Sequence, residues 1–142
     1  MVEMQRELKF RAWHKDSREM LHAGVADVFI WQHEGQPIEI MQYTGLKDKN
    51  GKGIYEGDVL LIPDEYKERI LDDGSGPTEP FNHLALVIFQ DGSFGVDIKE
   101  RGDYFSKGFW SFPDIHRDFG LFEFEVIGDI YENPELVRRG DY

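Results

Sequence analysis

The chain has 142 residues, the length of one domain, and 40% are apolar and 14% aromatic, which is enough to pack a core and excludes global disorder. Its 28 acidic and 16 basic side chains give a formal charge of -12, which favours solubility and disfavours non-specific binding to nucleic acid or anionic lipid. There is no cysteine, so disulfides, thiolate nucleophiles and thiolate-held zinc or iron–sulfur sites are excluded.

The start, Met1-Val2-Glu3-Met4-Gln5-Arg6-Glu7, is charged where a signal peptide needs an apolar run. No segment approaches the roughly 18–20 apolar residues of a membrane span, so no membrane association and a cytoplasmic location are expected. Leu8-Lys9-Phe10-Arg11-Ala12-Trp13 alternates with the period of a half-buried strand and places Leu8, Phe10 and Ala12 on one face. The polar stretch from His14 to Glu19 reads as a turn and Met20-Leu21 as the return strand of a hairpin. After Gly24, Val25-Ala26-Asp27-Val28-Phe29-Ile30-Trp31 is short and rich in β-branched residues, which predicts another strand, ended by Glu34-Gly35-Gln36-Pro37. Ile38 to Thr44 alternates again and stops at Gly45.

Between Leu46 and Tyr55, the pair Asn50-Gly51 suits a turn with positive φ angles, so the chain doubles back there. Glu56-Gly57-Asp58 turns it into Val59-Leu60-Leu61-Ile62, a strand apolar on both faces that Pro63 is expected to end. Residues 64–82 read as an insertion that is mobile at its centre. His83 to Phe89 and Phe94 to Ile98 form a hairpin through Asp91-Gly92. Lys99 to Gly120 holds many aromatics and glycines without steady periodicity. Phe122, Phe124 and Val126 share one face of a final strand, after which Asn133 caps and Pro134 opens a short helix.

Short strands between turn signals, with no tandem repeat, predict a mainly β chain. The expected architecture is a single domain, 1–142, with a small barrel- or sandwich-like core and short helical pieces. An N-terminal hairpin and strand region covers 1–45, and 46–142 forms a barrel-like region ordered as in SH3-like barrels: turn, buried strand, loop and tight hairpin.

Four blocks carry a resemblance: Lys9 to His14; Met41 to Lys52 with Ile54 to Val59; Asp91 to Phe94; and Glu125 to Leu136. In this order they resemble the YopX family, small proteins encoded mostly by phages and prophages. The resemblance implies a mostly β fold with a barrel-like part, a bacterial host cytoplasm and an uncharacterised role, with no catalytic residues to carry across. Two positions depart from the family pattern: His14 stands where an acidic residue is usual, and Gly53 where Glu or Lys is common.

Catalytic and ligand-binding patterns are weak. In Asp48-Lys49-Asn50-Gly51 the glycine is fourth, whereas a calcium loop has it sixth. Gly51, Gly53 and Gly57 lack the helix that follows a phosphate loop. His14, His22, His33, His83 and His116 form no HxH or HExxH pattern, and Ser93 belongs to a hairpin turn. No metal and no cofactor is expected. The aromatic stretch with Tyr104, Phe105, Phe109, Trp110 and Phe112, near Arg101 and Lys107, reads in the first place as rings that fill the core; it is also the candidate binding surface, with Tyr104, Phe105, Phe109 and Trp110, because such rings stack on bases or anchor interfaces.

These features favour a non-enzymatic binding or accessory protein acting through a surface, as a homo-oligomer or on a host or phage protein. One alternative is an acidic decoy of a host DNA-binding protein, motivated by the charge. Another is nucleic-acid binding by an SH3-like barrel through Lys47, Lys49 and Lys52. A small hydrolase would need three or more carboxylates that converge in space.

Overall fold

A computed structural model describes residues 7–64, 81–99, 105–118 and 123–138. The chain is mainly β, as the alternating segments predict. Four strands, β1 (Phe10–His14), β2 (Glu19–Ala23), β3 (Ile38–Lys47) and β4 (Gly53–Tyr55), form an antiparallel sheet in the order β2-β1-β3-β4. Five more, β5 (Asp58–Asp64), β6 (Phe81–Gln90), β7 (Ser93–Ile98), β8 (Gly108–Ser111) and β9 (Glu125–Asp129), form a second antiparallel sheet in the order β8-β7-β6-β5-β9. Among the described residues there are also three short helices: α1 (Val25–His33), α2 (Phe112–Asp118) and α3 (Glu135–Arg138).

The main correction concerns Val25 to Trp31, which is helix α1 and not a strand. β-branched propensity is weak and tertiary packing overrides it. Val28 is fully buried, Phe10 meets Phe29 edge to face at 5.2 Å between ring centres, and the helix lies against β1 and β3. β1 also differs from a half-buried strand. Arg11 and Trp13 are buried along with Ala12, whereas Leu8 stands half in solvent. The polar-phase positions are covered because Arg11 pairs with Asp58 and the Trp13 ring stacks on Tyr131 at 5.7 Å.

β3 does not stop at Gly45. The glycine takes a φ of 89° within an irregularity between Tyr43 and Lys47, and pairing resumes with Lys47 opposite Gly53. Pro63 does not end β5 either. It pairs opposite Asn82 on β6, while the pairing of β5 with β9 reaches only Leu61. Proline is therefore placed where no ladder bond to β9 is demanded of it. β5 runs to Asp64, which is opposite Phe81, so the ends of the expected insertion are paired strand and its centre lies outside the described residues.

The apolar core lines the second sheet. Leu60, Ile62, Ala85, Val87, Val96 and Ile98 come from its central strands, and Ile54 comes from β4. Phe105, Phe124 and Val126 join them. Phe112 and Ile115, three positions apart on α2, turn the same helical face into this core. Phe124 and Val126 are buried as the alternation predicts, and Phe122 lies outside the described residues.

Candidate functional site

Only Glu56-Gly57 separates β4 from β5, so the two sheets meet at a two-residue link. The link is bonded on both sides. Glu56 N–H donates to Gln42 O at 3.0 Å, and its Oε1 accepts the Gln42 N–H at 2.9 Å. Gly57 N–H reaches Val87 O in the second sheet at 3.0 Å, and Gly57 O accepts Ile130 N–H at 2.9 Å. Gly57 has a φ of 86°, and an added Cβ would lie 3.2 Å from the Met41 sulfur, so only glycine suits the position.

Across this seam Arg11 Nη2 donates to Asp58 Oδ1 at 2.8 Å and to Glu56 O at 3.2 Å. The second Asp58 oxygen accepts Tyr55 N–H at 2.8 Å. Both side chains are almost sealed from solvent, at 6% and 2% exposure. Burial raises the Asp58 carboxyl above its ordinary pKa; Arg11 and the Tyr55 N–H oppose the rise without cancelling it. The Arg11 guanidinium also lies 4.7 Å from the centre of the Tyr55 ring, and its Nε has no hydrogen-bond partner among the described residues.

Asp48 makes a second joint. Its Oδ1 accepts the N–H groups of Asn50 and Lys52, which closes the β3–β4 turn, and its Oδ2 accepts Val126 N–H in β9 at 2.8 Å. Burial alone would raise this carboxyl, but the three backbone donors and the Lys52 charge together hold it below its ordinary pKa. Asp129, opposite Asp58 in the β5–β9 ladder, accepts Tyr131 and Glu132 N–H groups through Oδ1.

A cavity of about 440 Å³ opens on the seam, with Arg11, His22, Asp58, Asp129 and Glu132 among its walls. Three carboxylates therefore face one space. Both Asp58 oxygens and Asp129 Oδ1, however, are already occupied by bonds that shape turns or cross the seam. Among the described residues no three His, Asp or Glu side chains group as a metal site, and no helix is long and apolar enough to cross a membrane.

The sequence-derived surface residues are scattered between core and periphery. Tyr104 lies outside the described residues. Phe105 is 2% exposed and belongs to the core, edge to face with His83 and with Trp110. Trp110 is half-buried and donates through Nε1 to Ser106 O at 2.8 Å, and Phe109 covers Gly95. Lys49 pairs with Glu125 at 3.4 Å, and Lys52 shares the seam cavity with Asp129 and Glu132, so these cations are interleaved with acids.

Two apolar features were not anticipated. One is a groove of about 420 Å³ between the β6–β7 hairpin and α2, walled by Leu46, Phe89, Phe94, Phe112 and Pro113. The other is the outer side of α1. Val25, Phe29 and Ile30 are 38%, 44% and 51% exposed there, and Leu8, two residues before Phe10, is 49% exposed. The sequence signal was the run Val25 to Trp31, in which Asp27 is the single polar residue and the apolar side chains fall on more than one side of a helix.

No curated protein matches the chain. Among solved structures it is similar to the crystal structure of protein EF1440 from Enterococcus faecalis, with 25% sequence identity and a TM-score of 0.56. The match covers 94% of this chain and 100% of that one. A family model described as YopX protein matches residues 23–138. That span takes in β3 to β9, with the Glu56-Gly57 link and both Asp48 and Asp129, and the chain belongs to the YopX family.

Proposed function

We propose that this chain is a non-enzymatic binding or accessory protein, encoded by a phage or prophage, that acts in the bacterial cytoplasm by presenting a surface. The outer side of α1 carries the reading. A helix with apolar residues on both sides belongs in a covered environment, and here one side faces solvent. The buried carboxylates add support, since the oxygens of Asp58 serve the seam rather than a substrate. The acidic-decoy reading rests on the -12 charge alone, and the nucleic-acid reading on Lys47, Lys49 and Lys52, of which Lys49 pairs with Glu125 and Lys52 shares a cavity with Asp129 and Glu132.

A photo-reactive side chain placed at Ile30, with Asn50 at the exposed β3–β4 turn as control, tests the reading in cells that carry the gene. Protein adducts are expected from position 30 and not from position 50. Absence of adducts at 30 would remove it.

A further inference from the structure

We propose that the outer face of α1 docks against the same face of a second copy of this chain, in a two-fold contact centred on Phe29 and Ile30. The proposal rests on the surface-binding reading above and names the partner. Of the large apolar side chains exposed among the described residues, Leu8, Val25, Phe29 and Ile30 gather at α1 and the approach to β1, while Phe89 and Ile127 lie on the other sheet. Phe10 meets Phe29 edge to face, so the Phe29 ring is held by a contact to β1 instead of hanging free.

Area favours a second copy. Side chains of this size carry about 150–200 Å² each, so at these exposures the four present about 270–360 Å² of apolar surface. Two such faces supply about 550–730 Å². A standard interface buries about 1,600 Å² in total, of which about 900 Å² is apolar. One self-complementary contact thus provides most of the apolar area a stable dimer needs and requires no other protein to supply it. Charge then sets the salt dependence. Two copies at -12 repel, and apolar burial does not depend on that repulsion, so screening strengthens the dimer. A basic partner on the same face behaves in the opposite way.

Sedimentation of the purified chain from micromolar to submillimolar concentration, between about 0.05 and 0.5 M salt, reads this directly. The expected result is a monomer–dimer equilibrium that tightens with salt and weakens at least about tenfold in Phe29→Glu and Ile30→Glu. Both positions are on the solvent side of the helix, and circular dichroism checks that the variants fold. A second measurement does not depend on disrupting the face. Because the chain has no cysteine, Ile30→Cys places a single thiol near the two-fold axis, and mild oxidation should give a covalent dimer, whereas Asn50→Cys should not.

A wild-type monomer at every concentration and salt, with no disulfide at position 30, would overturn the proposal. So would a dimer indifferent to both glutamate variants. If the chain is monomeric but the photo-adducts at position 30 contain another protein, the second-copy assignment fails and the surface reading stands. If position 30 gives no adduct of any kind, both fail.

Discussion

Replacing Asp58 by alanine removes both acceptors that Asp58 places at the seam and leaves the Arg11 guanidinium, 6% exposed, without a counter-charge. Breaking a buried ion pair by deleting one partner costs about 3–5 kcal/mol, a large share of the roughly 5–15 kcal/mol that holds a domain together. For a chain of this length the unfolding entropy is about 0.3 kcal/mol per degree, so the midpoint should fall by about 10–17 °C. Asp58→Asn keeps an oxygen for the Tyr55 N–H and should be milder by about 1 kcal/mol. The double variant Arg11→Met with Asp58→Asn removes both charges together. It should be more stable than the sum of its single losses predicts, with a coupling of about 1–3 kcal/mol. Urea unfolding followed by tryptophan fluorescence measures all of these, with Trp13 on the same strand as Arg11. A loss below about 1 kcal/mol for Asp58→Ala, or single losses that simply add, would refute the seam as described.

Other consequences follow from the same geometry. The depressed pKa of Asp48 means that its contribution is present above the unfolded value near 3.9 and disappears as pH falls through the folded one. The stability gap between wild type and Asp48→Asn should therefore be about 1–3 kcal/mol at neutral pH and shrink below about pH 4; a constant gap down to about pH 2.5 would show that ionised Asp48 is not what binds the three amides. Gly95→Ala would place a methyl group 2.2 Å from Trp110 O and 2.7 Å from the Phe109 ring, so β8 should separate from β7 at a cost of about 1–3 kcal/mol or more, visible as faster amide exchange in both strands. Gly92→Ala meets no atom within 4 Å, and its φ of 79° alone should cost about 1 kcal/mol; if it proves the more damaging of the two, the close approach of β8 is not what selects glycine at 95.

Much of the sheet was legible because a pleated strand exposes its period within five or six residues. The Asp91-Gly92 hairpin forms as read, with both residues at positive φ. α1 was not legible as a helix. Val25 to Trp31 has one polar residue, Asp27, which cannot define a period, its N-cap Gly24 makes no side-chain capping bond, and its helical state depends on packing over β1 and β3. β8 and α2, four and seven residues long, are shorter than the window in which periodicity can be counted. The seam was invisible for a different reason: Arg11 and Asp58 stand 47 positions apart, and no local pattern joins them. The four blocks of the family resemblance did mark it, since Arg11, Asp48, Asp58, Val126 and Asp129 all fall within them.

The Asp48 bond to Val126 spans 78 residues, and that separation bears on how the protein is made. At about 5–20 residues per second, a ribosome delivers Val126 about 4–16 s after Asp48. From the completion of β5 at Asp64 until the end of that interval, β5 has no β9 beside it, and its edge is open to strands of neighbouring nascent chains. Slower translation between positions 48 and 126 should therefore lower the soluble yield without altering the finished fold, and chaperones that cover nascent strands should restore it.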